Sequence, residues 1–196
     1  GCLLVVDNCF CTPAMQQPLA LGADLVIHSA TKYLDGQGRC MGGAVVGDRD
    51  KVGEQVFGVL RTAGPTMSPF NAFLFAQGLE TLPLRMRQHV ANALAVAKFL
   101  ENHGCVNWVR YPGLASAETA HLKDKYLPQG QGALVGFGIQ GGRKAAVKFI
   151  ESLKLFSHLA NIADPKSLVI HPASTTHEQL SEEEQKASGV TPDFIR

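Results

Sequence analysis

A lysine and two hydroxyl side chains follow directly on a short apolar run. The run is Leu25-Val26-Ile27, and Ser29, Thr31 and Lys32 come just after it. An apolar run bounded by turn residues is typical of a buried strand in a parallel sheet. Ligands of such sheets bind outside the carboxyl ends of the strands. The spacing therefore predicts that the Lys32 amine stands at a ligand-binding edge, where it can act as a nucleophile.

A second apolar run, residues 2–6, ends on the carboxylate of Asp7. A carboxylate and a lysine at the ends of neighbouring strands suit one cofactor in particular. Pyridoxal phosphate needs a lysine amine for its covalent attachment and an anion that keeps its pyridine nitrogen protonated. Taken singly, a strand-end Asp is usually a turn residue and a Lys a solvated surface group. The prediction therefore depends on Asp7 and Lys32 together, with Ser29 and Thr31 as candidate donors to the phosphate.

Several segments resemble the Cys/Met-metabolism pyridoxal-phosphate enzymes, a family that includes cystathionine γ-synthase, cystathionine γ-lyase, methionine γ-lyase and the O-acylhomoserine sulfhydrylases. The resemblance extends over essentially the whole chain. It implies that Lys32 bonds to the cofactor, that Asp7 pairs with the pyridinium, and that Ser29 and Thr31 contact the phosphate. The segments that carry it are Val5-Val6-Asp7-Asn8, Thr12-Pro13, Gln17-Pro18-Leu19, Leu21-Gly22-Ala23-Asp24 and His28-Ser29-Ala30-Thr31-Lys32-Tyr33.

The same resemblance implies an α/β fold, the fold-type I architecture of pyridoxal-phosphate transferases. We predict that residues 1–87 form the C-terminal part of a mainly parallel-sheet cofactor domain. Residues 88–196 would form a smaller α+β substrate domain, truncated at its end. Because the chain opens on a strand without a Met, we expect it to be part of a longer protein. The absent N-terminal part would complete the site, so this fragment alone is expected to be inactive.

Two residues near the C-terminus are candidate substrate anchors by resemblance. Arg196 matches an arginine that binds the substrate carboxylate through both guanidinium nitrogens. Asn161 falls where many relatives have a serine that helps to hold the same carboxylate. Ala163 replaces a glycine common in the family, which would alter the loop if that position needs a positive φ. His171 and His177 are expected to bond local backbone groups and not to act as ligands.

Composition excludes several classes of function. With a net charge of +1 and 18% charged residues among 196, nothing indicates a nucleic-acid or anionic-membrane partner. No apolar run reaches the roughly 18 residues of a membrane span. The cysteines lack the spacing of zinc ligands, so we expect no metal and a cytoplasmic protein with reduced thiols. They are Cys2, Cys9, Cys11, Cys40 and Cys105.

The predicted activity is a pyridoxal-phosphate-dependent γ-replacement, in which sulfide replaces the acyloxy group at the γ-carbon of an O-acylhomoserine to give homocysteine for methionine biosynthesis. The stretch 35–43 resembles O-succinylhomoserine sulfhydrylases, whereas residues 157–177 are closer to O-acetylhomoserine sulfhydrylases, so the acyl group stays open. A cystathionine γ-synthase, a γ-lyase or a methionine γ-lyase shares every catalytic residue named. A cofactor-free scaffold fragment is the alternative from another class. The family forms its sites between subunits, so a homotetramer is expected.

Local patterns predict the elements that position these residues. Ser68-Pro69 is expected to begin a long helix with Ser68 as its N-cap, and Pro83 to end or kink that helix near Leu82. Phe70, Phe73 and Phe75 are expected to lie in the core, because they recur at roughly helical spacing. Further predicted elements are helices at 12–22, 48–59, 118–126 and 143–153, a helix start at Ser181, and strands at 43–47, 106–111 and 133–139.

Overall fold

The computed structural model describes residues 1–196 and contains two small sheets linked through the longest helix, α4. The fold is α/β, and a two-stranded ribbon completes it. Short 3₁₀ turns lie between several of these elements. The elements are β1 (Val5–Asp7), α1 (Thr12–Met15), β2 (Leu25–Ser29), β3 (Gly43–Gly47), α2 (Phe57–Ala63), α3 (Pro69–Glu80), α4 (Leu82–Glu101), β4 (Val106–Arg110), α5 (Lys123–Tyr126), β5 (Gly136–Ile139), α6 (Gly142–Ser152), β6 (Ser157–His158), β7 (Leu168–Val169), α7 (Glu182–Ala187) and β8 (Phe194–Ile195).

The first sheet has the order β1-β2-β3 and carries the residues predicted to bind the cofactor. β1 and β2 are parallel, with Val6 opposite Val26, whereas β2 and β3 are antiparallel. β3 has the predicted bounds. β2 is half-buried and not buried on both faces, since Val26 is 2% exposed and Ile27 41% exposed. The parallel pair puts the ends of β1 and β2 at one edge of the sheet, as predicted.

Helices α3 and α4 begin and end close to where the sequence indicates, whereas the helix predicted at 48–59 is a π-helical segment, Arg49–Val56, that continues as α2 to Ala63. The Ser68 hydroxyl accepts a hydrogen bond from the Asn71 amide at 3.1 Å, so Ser68 is the N-cap of α3. α3 ends at Glu80, and α4 begins at Leu82 with Pro83 in its first turn. α4 then runs without a break past Arg87, where the domain boundary was predicted. None of the helices combines the length and apolar character needed to cross a bilayer.

Three predicted elements are shorter than expected. The helix predicted at 12–22 consists of α1 and a separate 3₁₀ turn from Pro18 to Leu21. Pro18 disfavours helical backbone at the residue before it, and Gln16 and Gln17 are indeed non-helical. The helix predicted at 118–126 is a 3₁₀ turn followed by α5, because neither piece buries a residue that could stabilise a longer helix. The strand predicted at 133–139 starts only at Gly136.

The core lies in three clusters of buried apolar side chains. The predicted aromatic core on α3 is wrong for two of its three members. Phe75 is 6% exposed, but Phe70 is 68% and Phe73 58% exposed, because only one face of α3 packs against this chain. The cluster around the lysine segment contains Met15, Ala30, Tyr33, Leu34, Phe75, Leu82, Met86 and Ala163. The second contains Phe137, Ala146, Ile150, Val169 and Ile195, and the third Ala93, Ala97, Tyr111 and Leu114.

A close approach between backbones fixes α3 against the segment that carries Lys32. A Cβ atom built on Gly78 would lie 2.2 Å from the carbonyl oxygen of Leu34. The obstacle is backbone and cannot rotate away, so Gly78→Ala should lower the free energy of unfolding by about 1–3 kcal/mol. Gly58→Ala, in α2 with nothing within 4 Å of its Cβ, is the matched control. It should raise stability by about 0.5–1 kcal/mol in urea unfolding, and equal destabilisation by both variants would contradict the contact.

Candidate functional site

The segment Ala30–Leu34, here named the lysine turn, forms a wide π-type turn directly after β2. The backbone of Lys32 leaves helical geometry inside this turn, with φ −87° and ψ −126°. The amides of Ala30 and Thr31 both bond the Gly42 carbonyl oxygen, at 2.9 and 3.2 Å. These bonds fasten the start of the lysine turn beside the start of β3. Lys32 is half-buried and lies at the carboxyl end of β2, where the sequence predicts it.

Lys32, Asn161 and Arg196 are brought together from distant parts of the chain. The Lys32 ammonium donates to the side-chain oxygen of Asn161 over a long 3.5 Å. The Arg196 guanidinium donates to the Asn161 backbone carbonyl at 3.4 Å. The backbone of Arg196 pairs with Ile170 through two 3.0 Å bonds, which hold it in register beside that residue. The two predicted substrate anchors therefore flank the predicted catalytic amine.

The Arg196 guanidinium is able to bind an anion. Its guanidinium forms no ion pair within the chain, and burial lowers the pKa of this group. Arg196 and Asn161 line a pocket of about 630 Å³ that extends between α4 and the C-terminal elements. A half-buried guanidinium with unused donors binds a carboxylate well, through two parallel hydrogen bonds. The geometry thus allows the role expected for Arg196.

Backbone strain shapes the loop that presents Asn161. Ala163 has φ +73°, in the left-handed region that favours glycine, and a non-glycine residue there costs about 1–2 kcal/mol. The surrounding structure therefore holds this loop in a strained conformation. Gly38 lies opposite with φ +65°, and a Cβ atom there would sit 3.3 Å from the Asn161 amide nitrogen. A side chain at position 38 would crowd Asn161.

Asp7 ends β1 at the same edge of the sheet. Its carboxylate accepts the Cys9 backbone amide at 2.9 Å. Hydrogen bonds from the side chain and the backbone of Cys9 lower the pKa of Asp7, so its carboxylate is ionised at neutral pH. The parallel pairing sets Asp7 opposite Ile27, which lies in β2 shortly before Lys32. The carboxylate and the amine therefore share one end of the β1–β2 pair.

Cys9 lies between the ends of β1 and β2 and bonds both Asp7 and Ser29. The sequence did not indicate this role. Its sulfur accepts the Ser29 backbone amide at 2.8 Å. Burial raises the pKa of the Cys9 thiol, with a further rise from Asp7 and an opposing effect of Lys32, so Cys9 lies close to both. The thiol therefore stays protonated at neutral pH and cannot act as a nucleophile. Its position two residues after the end of a strand is the one signal that could have revealed it.

The two predicted phosphate contacts differ in how free their hydroxyls are. The Ser29 hydroxyl makes no hydrogen bond within the chain. The Thr31 hydroxyl accepts the Gly42 amide at 3.1 Å and donates to the Gly42 carbonyl at 3.3 Å. A phosphate oxygen would have to compete with that second, longer bond. Ser29 is therefore the readier donor of the two.

The residues present fit pyridoxal phosphate. Lys32 offers an amine without an ion-pair partner, Asp7 a carboxylate that is kept ionised, and Ser29 an unused hydroxyl. No group of three or more His, Cys, Asp or Glu side chains could hold a metal ion, and all five cysteines are free. His171 bonds the backbone carbonyl of Pro192 at 2.9 Å, as predicted, and the Ser174 hydroxyl at 2.8 Å, whereas His177 bonds the Thr176 hydroxyl at 2.9 Å.

Comparison with known proteins identifies relatives along the full chain. The family profile described as "Cys/Met metabolism PLP-dependent enzyme" matches residues 1–196. An O-succinylhomoserine sulfhydrylase of Pseudomonas aeruginosa is 53% identical over 196 residues, which are 100% of this chain and 48% of that protein. An O-acetyl-L-homoserine sulfhydrylase of Leptospira meyeri is 44% identical, with 100% of this chain and 53% of that protein covered. The chain thus spans about half the length of these relatives.

Solved structures show the same fold. A cystathionine gamma synthase of Xanthomonas oryzae pv. oryzae, in complex with cystathionine, superposes with a TM-score of 0.93 at 40% identity. The superposition covers 100% of this chain and 50% of that one. An L-methionine gamma-lyase of Porphyromonas gingivalis is 43% identical, over 100% of this chain and 49% of that protein. Proteins with different reactions therefore share this fold and this level of similarity.

Tyr33, the residue after Lys32, gives the site a measurable titration. Burial raises the pKa of Tyr33 to about 12, and burial likewise raises the pKa of Tyr111 to about 12. Both phenols stay neutral in the folded state while the unfolded chain ionises from about pH 10. Stability should therefore fall as pH rises from about 10 to 12, by about 1.4 kcal/mol per pH unit for each group.

Phenolate absorbance and alkaline unfolding check this, with Tyr33→Phe as the test variant. Tyr33→Phe should remove one phenol of raised pKa, so the free energy of unfolding should fall less steeply between about pH 10 and 12. A normal ionisation of Tyr33 in the folded protein would show that the lysine turn is open to water.

Proposed function

Because this chain belongs to the Cys/Met-metabolism pyridoxal-phosphate enzymes, we propose that the protein catalyses γ-replacement on an O-acylhomoserine with sulfide, which yields homocysteine. One observation carries this proposal: the Lys32 amine contacts Asn161, which in turn binds Arg196. A nucleophilic amine next to a carboxylate anchor is what an amino-acid substrate requires. The similarity to the two sulfhydrylases supports sulfide as the second substrate.

Each site residue has a role that follows from its chemistry. When bound, pyridoxal phosphate supplies a protonated ring that accepts the electron pair released at the substrate's α-carbon. Asp7 would hold the proton on the ring nitrogen through its negative charge. Lys32 would hold the cofactor through its amine, and the same amine would take the proton from the substrate's α-carbon and carry protons to the β-carbon. Arg196 and Asn161 would hold the substrate carboxylate, while Ser29 and Thr31 would hold the phosphate.

The nature of the nucleophile separates the proposal from its closest rivals. Cystathionine γ-synthase would use cysteine in place of sulfide, and a γ-lyase would eliminate without adding a nucleophile. The similarity to a structure in complex with cystathionine and to methionine gamma-lyases keeps these activities as candidates. Which acyl group leaves is also part of the proposal, with succinyl favoured by the more similar relative. The homotetramer and the cytoplasmic location stay predictions.

Covalent capture of pyridoxal phosphate tests the cofactor site. After incubation with the cofactor and reduction with borohydride, peptide mass mapping should find the pyridoxyl group on Lys32. The experiment is run on the 196-residue chain and on the longest natural protein that contains it. Lys32→Arg should abolish the label, whereas Lys51→Arg, at an exposed ion pair with Asp48, should not. An unlabelled Lys32 in the longer protein would support the scaffold alternative.

Product analysis then names the reaction. With O-succinylhomoserine, sulfide should give homocysteine at a higher kcat/KM than cysteine gives cystathionine. Arg196→Lys should raise KM by about 10- to 100-fold, since a lysine cannot form the two parallel bonds to a carboxylate. Arg110→Lys, on the exposed Arg110, is the matched control. Faster formation of cystathionine, or of ammonia without a nucleophile, would replace the sulfhydrylase proposal with a synthase or a lyase.

A further inference from the structure

Arg85 binds the lysine turn from helix α4. One terminal nitrogen of its guanidinium donates to the Tyr33 carbonyl at 2.9 Å, immediately after Lys32. The other donates to the Gly78 carbonyl at 2.6 Å, and Nε donates to the Thr81 hydroxyl at 3.0 Å. One side chain thus joins the lysine turn, the end of α3 and the start of α4. Its three acceptors take one N–H from each of the three guanidinium nitrogens.

The surroundings of Arg85 are shaped to admit the guanidinium. A Cβ atom on Gly36 would lie 2.3 Å from its terminal nitrogen, so a side chain at position 36 would occupy the space of the guanidinium. Burial lowers the pKa of Arg85, and it forms no ion pair, because Asp35 is bound by Arg39. Burying a cation without an ion-pair partner costs free energy unless hydrogen bonds compensate. The three hydrogen bonds to carbonyl and hydroxyl oxygens supply that compensation for Arg85.

Helix α4 also holds the side chain of Tyr33. The rings of Tyr33 and His89 meet edge to face, with centroids 5.5 Å apart. His89 lies one turn after Arg85 on α4, so the same helix fixes both the carbonyl and the ring of Tyr33. The backbone carbonyl of Lys32 accepts the Gly36 amide at 2.8 Å, but its amine makes only the long bond to Asn161. The position of Lys32 therefore depends on how firmly its neighbour is held.

We propose that Arg85 is a positioning residue for Lys32: it holds the lysine turn closed so that the amine points toward Asn161 and Arg196. The proposal deepens the proposed function, because a held amine matters only if Lys32 reacts. Lysine at position 85 cannot replace the guanidinium, since a single ammonium cannot reach three acceptors in a planar fork. A misplacement of a reacting group by about 1 Å can cost about 100-fold in rate.

Two reagents that attack the Lys32 amine test this, with peptide mass mapping of every lysine as the readout. In Arg85→Met, capture of pyridoxal phosphate at Lys32 should slow by about 10- to 100-fold. Acetylation of Lys32 by a small acylating reagent should instead become several-fold faster, since the opened turn exposes the amine. Lys51 and Lys98 are internal references whose acetylation should not change. Arg85→Lys should fall between the wild type and Arg85→Met in both rates.

Matched variants separate positioning from loss of stability. Arg87→Met changes an exposed arginine of the same helix whose side chain makes no hydrogen bond, and should leave both rates unchanged. Ile150→Val weakens the separate core cluster around Ile195 and should lower the melting temperature without changing either rate at Lys32. If Arg85→Met does not fold, Thr81→Val removes one of the three acceptors and should give a smaller change of the same pattern.

Each outcome is decisive for one of the two claims. Opposite shifts of the two rates at Lys32 support the positioning role, because general unfolding would accelerate acetylation at all lysines. Lys32 rates within twofold of wild type in Arg85→Met, or in Thr81→Val where the former does not fold, would overturn it. If wild-type Lys32 captures no pyridoxal phosphate, the proposed function fails, and the acetylation rates alone then decide the role of Arg85.

Discussion

The lysine turn depends on a charge that is buried and must be paired. The Asp35 side chain directly after the turn is 0% exposed, and an unpaired carboxylate there would be prohibitively costly. It accepts the Arg39 backbone amide at 2.8 Å and the Arg39 Nε at 2.8 Å. Burial raises the pKa of Asp35, and the bonds from Arg39 more than offset this, so the pKa is lowered overall. The chain from 35 to 39 therefore folds around this carboxylate and fixes where the lysine turn ends.

The rest of the site is assembled on that fixed turn from remote segments. Arg196 is positioned by the β5–β8 pairing and by its backbone bonds to Ile170. Asn161 is positioned by the strained loop at Ala163, and Asp7 by the parallel β1–β2 pair. The one side-chain hydrogen bond of Lys32, to Asn161, is thus long-range in sequence. The Lys32 amine is the least firmly held group of the site, since it has one long hydrogen bond. The proposed function requires this group to move.

Sequence patterns predicted those features of the fold that neighbouring residues alone determine. Ser68 is an N-cap, Pro83 lies in the first turn of a new helix, and Ser181 forms a full capping box with Glu184. Those structures need only neighbouring residues, so a linear pattern predicts them. The exposure of Phe70 and Phe73 could not be read in this way, because helical spacing shows which residues share a face and not what covers it. The parallel or antiparallel pairing of β3 likewise depends on the path of the chain.

Sequence patterns could not predict contacts between remote residues for the same reason. The Tyr33 carbonyl lies 52 residues from Arg85 along the chain, and no spacing rule connects them.

The most direct test of the whole account is a crystal structure of the pyridoxal-phosphate complex of the longest natural protein that contains this chain. The account predicts electron density that joins Lys32 Nζ to the cofactor, with the ring nitrogen at Asp7 and Arg196 facing the substrate side. Cofactor bound elsewhere, or Lys32 turned away from Asp7, would contradict it.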